Sequence, residues 1–119
     1  MSVIEDKINS LSKSKFRSSF HLRKYMVEMI QKKGIEKIEE DAYFFINHRL
    51  SDTSKVIDGH QTPMKNHPVF IAQHATATCC RKCLNKWYGI PCNRLLTPHE
   101  IDFIVALIMY WIKKEMKNQ

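Results

Sequence analysis

Apolar residues recur along this chain with the period of a helix. Val3, Ile4, Ile8 and Leu11 predict a short amphipathic helix over residues 3–12. The tract SKSKFRSS that follows reads as a basic linker rich in capping residues. Leu22, Tyr25, Met26, Met29 and Ile30 share one face of a helix from about Phe20 to Lys33. Gly34 stops it, and Ile35, Ile38, Ala42, Phe45 and Ile46 mark a second helix from Ile35 to Arg49. A single Gly between two such stripes predicts a tight helical hairpin.

Residues 51–68 break the pattern with Ser51, Asp52, Asp58-Gly59, Pro63 and Pro68. A connection this long inside a small domain tends to be functional. Pro68 suits the first turn of a helix that runs through the next motif in one piece or two, because Thr76 and Thr78 weaken its middle. Gly89-Ile90-Pro91 ends it. Thr97-Pro98-His99-Glu100 is a capping box, and Ile101, Ile104, Val105, Ile108, Trp111 and Ile112 then form a continuous stripe, widened by Phe103 and Leu107. No segment alternates with period two. The expectation is a compact all-α single domain of four to six helices over 19–119, with one long functional loop at about 51–67. Residues 1–18 read as a basic, flexible N-terminal segment. The breadth of the last stripe suits a central helix or a homodimer interface.

Charge narrows the function. The formal net charge is +7. Residues 1–34 carry eight Lys/Arg against three acids, and residues 51–96 six against two. A basic surplus suits an anionic partner, nucleic acid first. Arg17, Arg23 and Lys24 form one candidate patch, and Arg81, Lys82 and Lys86 a second, with Phe16, Phe20, Trp87 and Tyr88 interleaved. The plain alternative is a solvated face with those aromatics in the core. The run Phe103–Ile112 is too short for a membrane span, which needs about 20 residues. No secretory signal is visible at the start, so the expected compartment is the cytoplasm, where cysteines are thiols or metal ligands.

The densest chemistry lies in HPVFIAQHATATCCRKCLNKW, residues 67–87. Cys80 and Cys83 are spaced to reach one ion from a helix face, and with His67 and His74 they make a Cys₂His₂ set suited to structural zinc. Cys79 and Cys92 are alternative thiol ligands. Cys79 or Cys80 beside His74 is also a candidate nucleophile pair, with the polar loop residues Asp58, Gln61, Thr62 and Gln73 placed to orient it. A dithiol redox couple is weaker, because no strand precedes it. The cysteines could equally be small buried hydrophobes. Leu84 stands where covalent haem attachment needs His. Ile90-Pro91-Cys92-Asn93-Arg94 echoes the alkylguanine-DNA methyltransferase motif, but Asn93 replaces its activating His.

Asp58-Gly59-x-Gln61-Thr62-Pro63-Met64 and the His67–Trp87 motif, with Phe16-Arg17-x-x-Phe20 before them and Leu96-Thr97…Glu100 after, resemble domain-of-unknown-function family 4186, small proteins of bacteria, phages and some archaea. The resemblance implies no established activity. The family pattern has His where this chain has Asp41 and Tyr88, so neither position is a required ligand here. His67, His74, Cys79, Cys80 and Cys83 remain as candidate ligands or catalytic groups. Three functions follow as expectations: a zinc-stabilised nucleic-acid-binding protein, a small thiol-dependent enzyme or ligand-binding protein, and a helical dimerisation protein without metal.

Overall fold

The computed structural model describes residues 2–51 and 62–118. Among them the fold is all-α, with seven α-helices and one π-helical turn. The helices are α1 (Val3–Leu11), α2 (Lys15–Ser18), α3 (Lys24–Lys33), α4 (Ile35–Phe45), α5 (Pro68–Ala75), α6 (Arg81–Tyr88) and α7 (Pro98–Lys117). The count exceeds the four to six expected because the linker forms α2, while the region after Pro68 takes its two-piece form as α5 and α6. No described helix is long and apolar enough to cross a membrane. Asp58 and Gln61 lie outside the described residues.

α7 is the organising helix. Ile104, Leu107, Ile108 and Ile112 are fully buried. Ile104, Ile108 and Ile112 join the main core with α3, α4, α5 and α6, while Leu107 turns to a smaller cluster with Ile8, Leu11 and Ala77. The width of the α7 stripe is thus used within one chain. It also means that the N-terminal segment is part of the fold: α1 packs Ile8 and Leu11 onto the far side of α7.

α4 continues into a π turn at Ile46–Leu50, closed by Ser51 N–H on the Ile46 carbonyl at 2.9 Å. Ile38, Ala42, Ile46 and Leu50 are all fully buried at strict four-residue spacing. On a 3.6-residue helix that spacing drifts by about 40° per step. Widening the last turn brings Leu50 back toward the core.

The helix expected from Phe20 begins instead at Lys24. Leu22 N–H is taken by the Glu115 carboxylate of α7 at 3.1 Å, and residues 20–23 precede the helix. α5 is buried at all eight positions, as befits a helix without a polar face.

The capping box of α7 forms as the pattern predicts. Glu100 N–H donates to Thr97 Oγ1 at 3.1 Å, and Thr97 N–H donates to Glu100 Oε1 at 2.9 Å. Arg94 pairs with both Glu100 oxygens at 2.8 Å. Hydrogen bonding from Arg94, then from Thr97, pulls the Glu100 carboxyl down to about 2. A depressed carboxyl contributes stability above its unfolded value and loses it as pH falls toward the folded one. Thermal melts of Glu100→Gln and wild type should therefore converge between about pH 4.5 and pH 2, and Thr97→Ala should cost about 1 kcal/mol at neutral pH.

Candidate functional site

The site begins at the end of α5. Thr78 N–H bonds the Gln73 carbonyl at 2.8 Å and Ala77 N–H bonds the His74 carbonyl at 3.4 Å, a Schellman turn. The residue that must turn left-handed in such a stop is usually Gly, yet here it is Ala77, at φ 59° and fully buried. Its methyl group belongs to the cluster with Ile8, Leu11 and Leu107, which a glycine could not supply. Tyr88 donates its hydroxyl to the Thr76 carbonyl and braces the turn.

The chain then leaves extended through Cys80, which caps α6. Its Sγ accepts Cys83 N–H at 3.4 Å. The turn and cap bring Cys79, Cys80 and Cys83 together, with their sulfurs all within 4.8 Å of one another. Cys79 Sγ and Cys83 Sγ are 3.7 Å apart. Cys79 and Cys80 are buried and Cys83 half-buried.

Arg17 of α2 reaches this cluster from 62 residues away in sequence. Nη1 donates to the His74 carbonyl at 2.7 Å and to Cys79 Sγ at 3.6 Å, and Nη2 donates to Cys83 Sγ at 3.2 Å. The guanidinium is only 9% exposed. Hydrogen bonds from Cys79 and Cys80, then from Arg17, hold the Cys83 thiol well below its ordinary range. Hydrogen bonding to Cys80 and Cys83, with burial, pushes Cys79 up. The Arg17 guanidinium thus favours the charged form of the Cys83 thiol.

A polar network ties the end of the long loop to the same place. Thr62 Oγ1 donates to the Cys79 carbonyl at 2.7 Å, and Gln73 Nε2 donates to Thr62 Oγ1 at 3.2 Å and to the Thr78 carbonyl at 3.0 Å. Of the polar loop set, Thr62 and Gln73 thus meet beside Cys79.

Neither expected histidine joins the sulfurs. His67 caps α5, accepting Val69 N–H on Nδ1 at 3.0 Å and donating from Nε2 to Asp41 at 3.1 Å. Burial lowers its pKa, which suits a neutral ring with both nitrogens engaged. His74 donates from Nε2 to the Pro63 and Thr62 carbonyls, at 3.0 and 3.2 Å, and stacks on Phe20. So of His67, His74, Cys80 and Cys83, the structure brings only the two cysteines together, and Cys79 completes the group. Cys92 lies apart, with Sγ on the Arg81 carbonyl at 3.4 Å.

The basic patches divide similarly. Arg23, Lys24, Lys82 and Lys86 are exposed. Arg17 is buried among the sulfurs. Arg81 is fully buried, donating to the Ser51 carbonyl at 2.9 Å and to the Pro91 carbonyl. These two arginines hold the fold together and are withdrawn from any phosphate-facing surface. Arg17 as a sulfur partner was hidden from periodicity and charge; its one trace in sequence is the Phe16-Arg17-x-x-Phe20 opening.

The left-handed turn at Ala77 carries a mutational prediction. A β-branched side chain is strongly disfavoured at such φ, and the methyl pocket leaves no room for it. Ala77→Val should lower unfolding free energy by about 2 kcal/mol or more in chemical denaturation.

No solved structure matches the chain. The family model described as a domain of unknown function (DUF4186) matches residues 5–113, nearly the whole length. The chain belongs to that family.

Proposed function

We propose that this is a zinc-binding protein in which Cys79, Cys80 and Cys83 supply three thiolate ligands. One observation carries the reading: three cysteine sulfurs converge beside Arg17, a buried cation whose side-chain acceptors among the described residues are the sulfurs of Cys79 and Cys83. A cation taken out of water needs a compensating anion nearby. Neutral thiols packed in a core would leave it uncompensated, whereas a single thiolate, or three thiolates around a divalent ion, supplies the one negative charge it needs.

The donor chemistry supports a divalent ion. Three thiolates around a 2+ ion leave one negative charge, which Arg17 balances; a monovalent ion would leave two. At a Zn–S distance of about 2.3 Å, tetrahedral ligands sit about 3.8 Å apart, and Cys79 and Cys83 are already 3.7 Å apart. Thiolate sulfur is the donor that zinc favours over calcium or magnesium. Among the described residues no fourth Cys, His, Asp or Glu belongs to the group. The fourth position is thus left to water or an incoming ligand. The ion would stabilise the junction of α2, α5 and α6, and its thiolates would supply no redox chemistry with zinc.

Purified protein should carry about one zinc per chain by elemental analysis. Chelation should lower its melting temperature, as should Cys83→Ser. Protein grown with ample zinc yet free of metal, with melting insensitive to chelator, overturns the reading.

The charge balance yields a separate expectation. Arg17→Met leaves the three sulfurs in place but removes the compensating cation. It should weaken zinc at least tenfold in competition with a chromophoric chelator. An unchanged affinity would show that the guanidinium serves packing alone.

A second reading is nucleic-acid binding by the remaining surface cations. What supports it is that Arg23, Lys24, Lys82 and Lys86 are exposed and have no ion-pair partner among the described residues, in a chain of net charge +7. The small thiol-dependent enzyme has weaker support, because Cys83 is hydrogen-bonded within a group of thiols and, among the described residues, no imidazole reaches it as a base.

A further inference from the structure

A cavity of about 950 Å³ opens where the segment between α2 and α3 crosses α5. Its floor is apolar, made by the buried Leu22 and Ile71, and Phe20 and Tyr25 stand in its wall. Arg23 and Lys24 line it, opposed by the single acid Glu28. We infer that this cavity seats single-stranded nucleic acid, with Arg23 and Lys24 on phosphates and Tyr25 stacked on a base. The inference rests on the nucleic-acid reading above and assigns it a place.

The local charge pattern argues for an anion. Arg23 is the N-cap of α3 and Lys24 its first residue; there is no side-chain cap and no acid in the first turn. Two cations at the positive end of a helix oppose its own stability. Glu115 on the Leu22 amide and Glu28 one turn on offset part of that charge, and a bound anion would offset the rest. Every other helix longer than one turn among the described residues has either an acid in its first turn or a side-chain cap.

The aromatic side argues for unpaired bases. Tyr25 is 45% exposed, and its hydroxyl accepts Asn66 N–H at 3.1 Å, which fixes the ring at the rim. Phe20 is held edge-on by Phe16 and stacked on His74. Anchored rings beside an apolar floor suit splayed bases, which only a single strand presents. A duplex would bring phosphates and leave the floor uncovered.

The test is fluorescence anisotropy of a labelled oligothymidylate of about twelve nucleotides against zinc-replete protein across a salt series. Arg23→Glu/Lys24→Glu should weaken binding at least tenfold and reduce the log–log salt slope by about 1.4, at about 0.7 per phosphate contact. Those acids suit a helix N-terminus, so the variant's melting temperature should hold or rise, separating lost binding from lost fold. Tyr25→Ala should weaken binding at least fivefold and Tyr25→Phe less than twofold. Lys82→Glu/Lys86→Glu, with the same change in net charge, should weaken binding less than Arg23→Glu/Lys24→Glu does. If that variant loses affinity and the Arg23/Lys24 one does not, the cavity is the wrong place although the nucleic-acid reading survives. Equal affinity for a duplex of the same length overturns the single-strand assignment. No binding by wild type at low salt removes both.

Discussion

A guanidinium buried among sulfurs is the interaction on which the rest of this structure turns. Arg17 gives up water for one carbonyl and two cysteines. That exchange is tolerable only if the sulfurs carry charge. It draws the N-terminal helices onto the body of the protein and keeps α2 against the end of α5. It also makes the cysteine cluster something other than core filling, since an apolar thiol pocket has no use for a cation.

The cluster depends on two local devices that break common preferences. Ala77 occupies a left-handed turn usually given to glycine, and its methyl fills a small core. Helix caps usually made by Ser, Thr, Asp or Asn fall to His67 for α5 and Cys80 for α6. Each replacement puts a reactive side chain at a helix terminus with its orientation set by a backbone amide. His67 is then absorbed by Asp41, whereas Cys80 remains beside two other thiols. Positive φ at Asn66 and Ala77 and two unusual caps fall together within residues 66–83, in a fold otherwise built from regular stripes.

The basic surplus separates into two physical roles. Arg17 and Arg81 are interior cations that satisfy carbonyls or sulfurs and join distant segments. Arg23, Lys24, Lys82 and Lys86 remain in water. Net charge counts both groups equally, although only the second can meet a phosphate. The exposed pair at the start of α3 lies beside Phe20, whose ring stacks on His74 one residue from Gln73 and its link to Cys79. The cavity and the thiols are thus neighbours through α5.

The sequence alone determined the helical class, the break at Gly34, the capping box of α7, the buried stripes of α4 and α7 and the family, while Tyr25, on the predicted face of α3, is exposed. These follow from periods, turn residues and caps that act within a few positions. It also located the stretch that carries the chemistry, because Cys and His at such density are visible in one dimension. Which of them converge was decided only by tertiary structure. His67 and Cys83 look equivalent in spacing, but Asp41 claims the first and Arg17 the second, from 26 and 66 residues away. Cys79 seemed an alternative because i, i+3 spacing favours Cys80 with Cys83; the turn at Ala77 and the extended cap at Cys80 place all three together. The start of α3 also differs from the pattern, with residues 20–23 outside the helix and the Leu22 amide held by Glu115 of α7. Local rules set what each segment can be, and long-range partners for buried polar groups settle which option it takes.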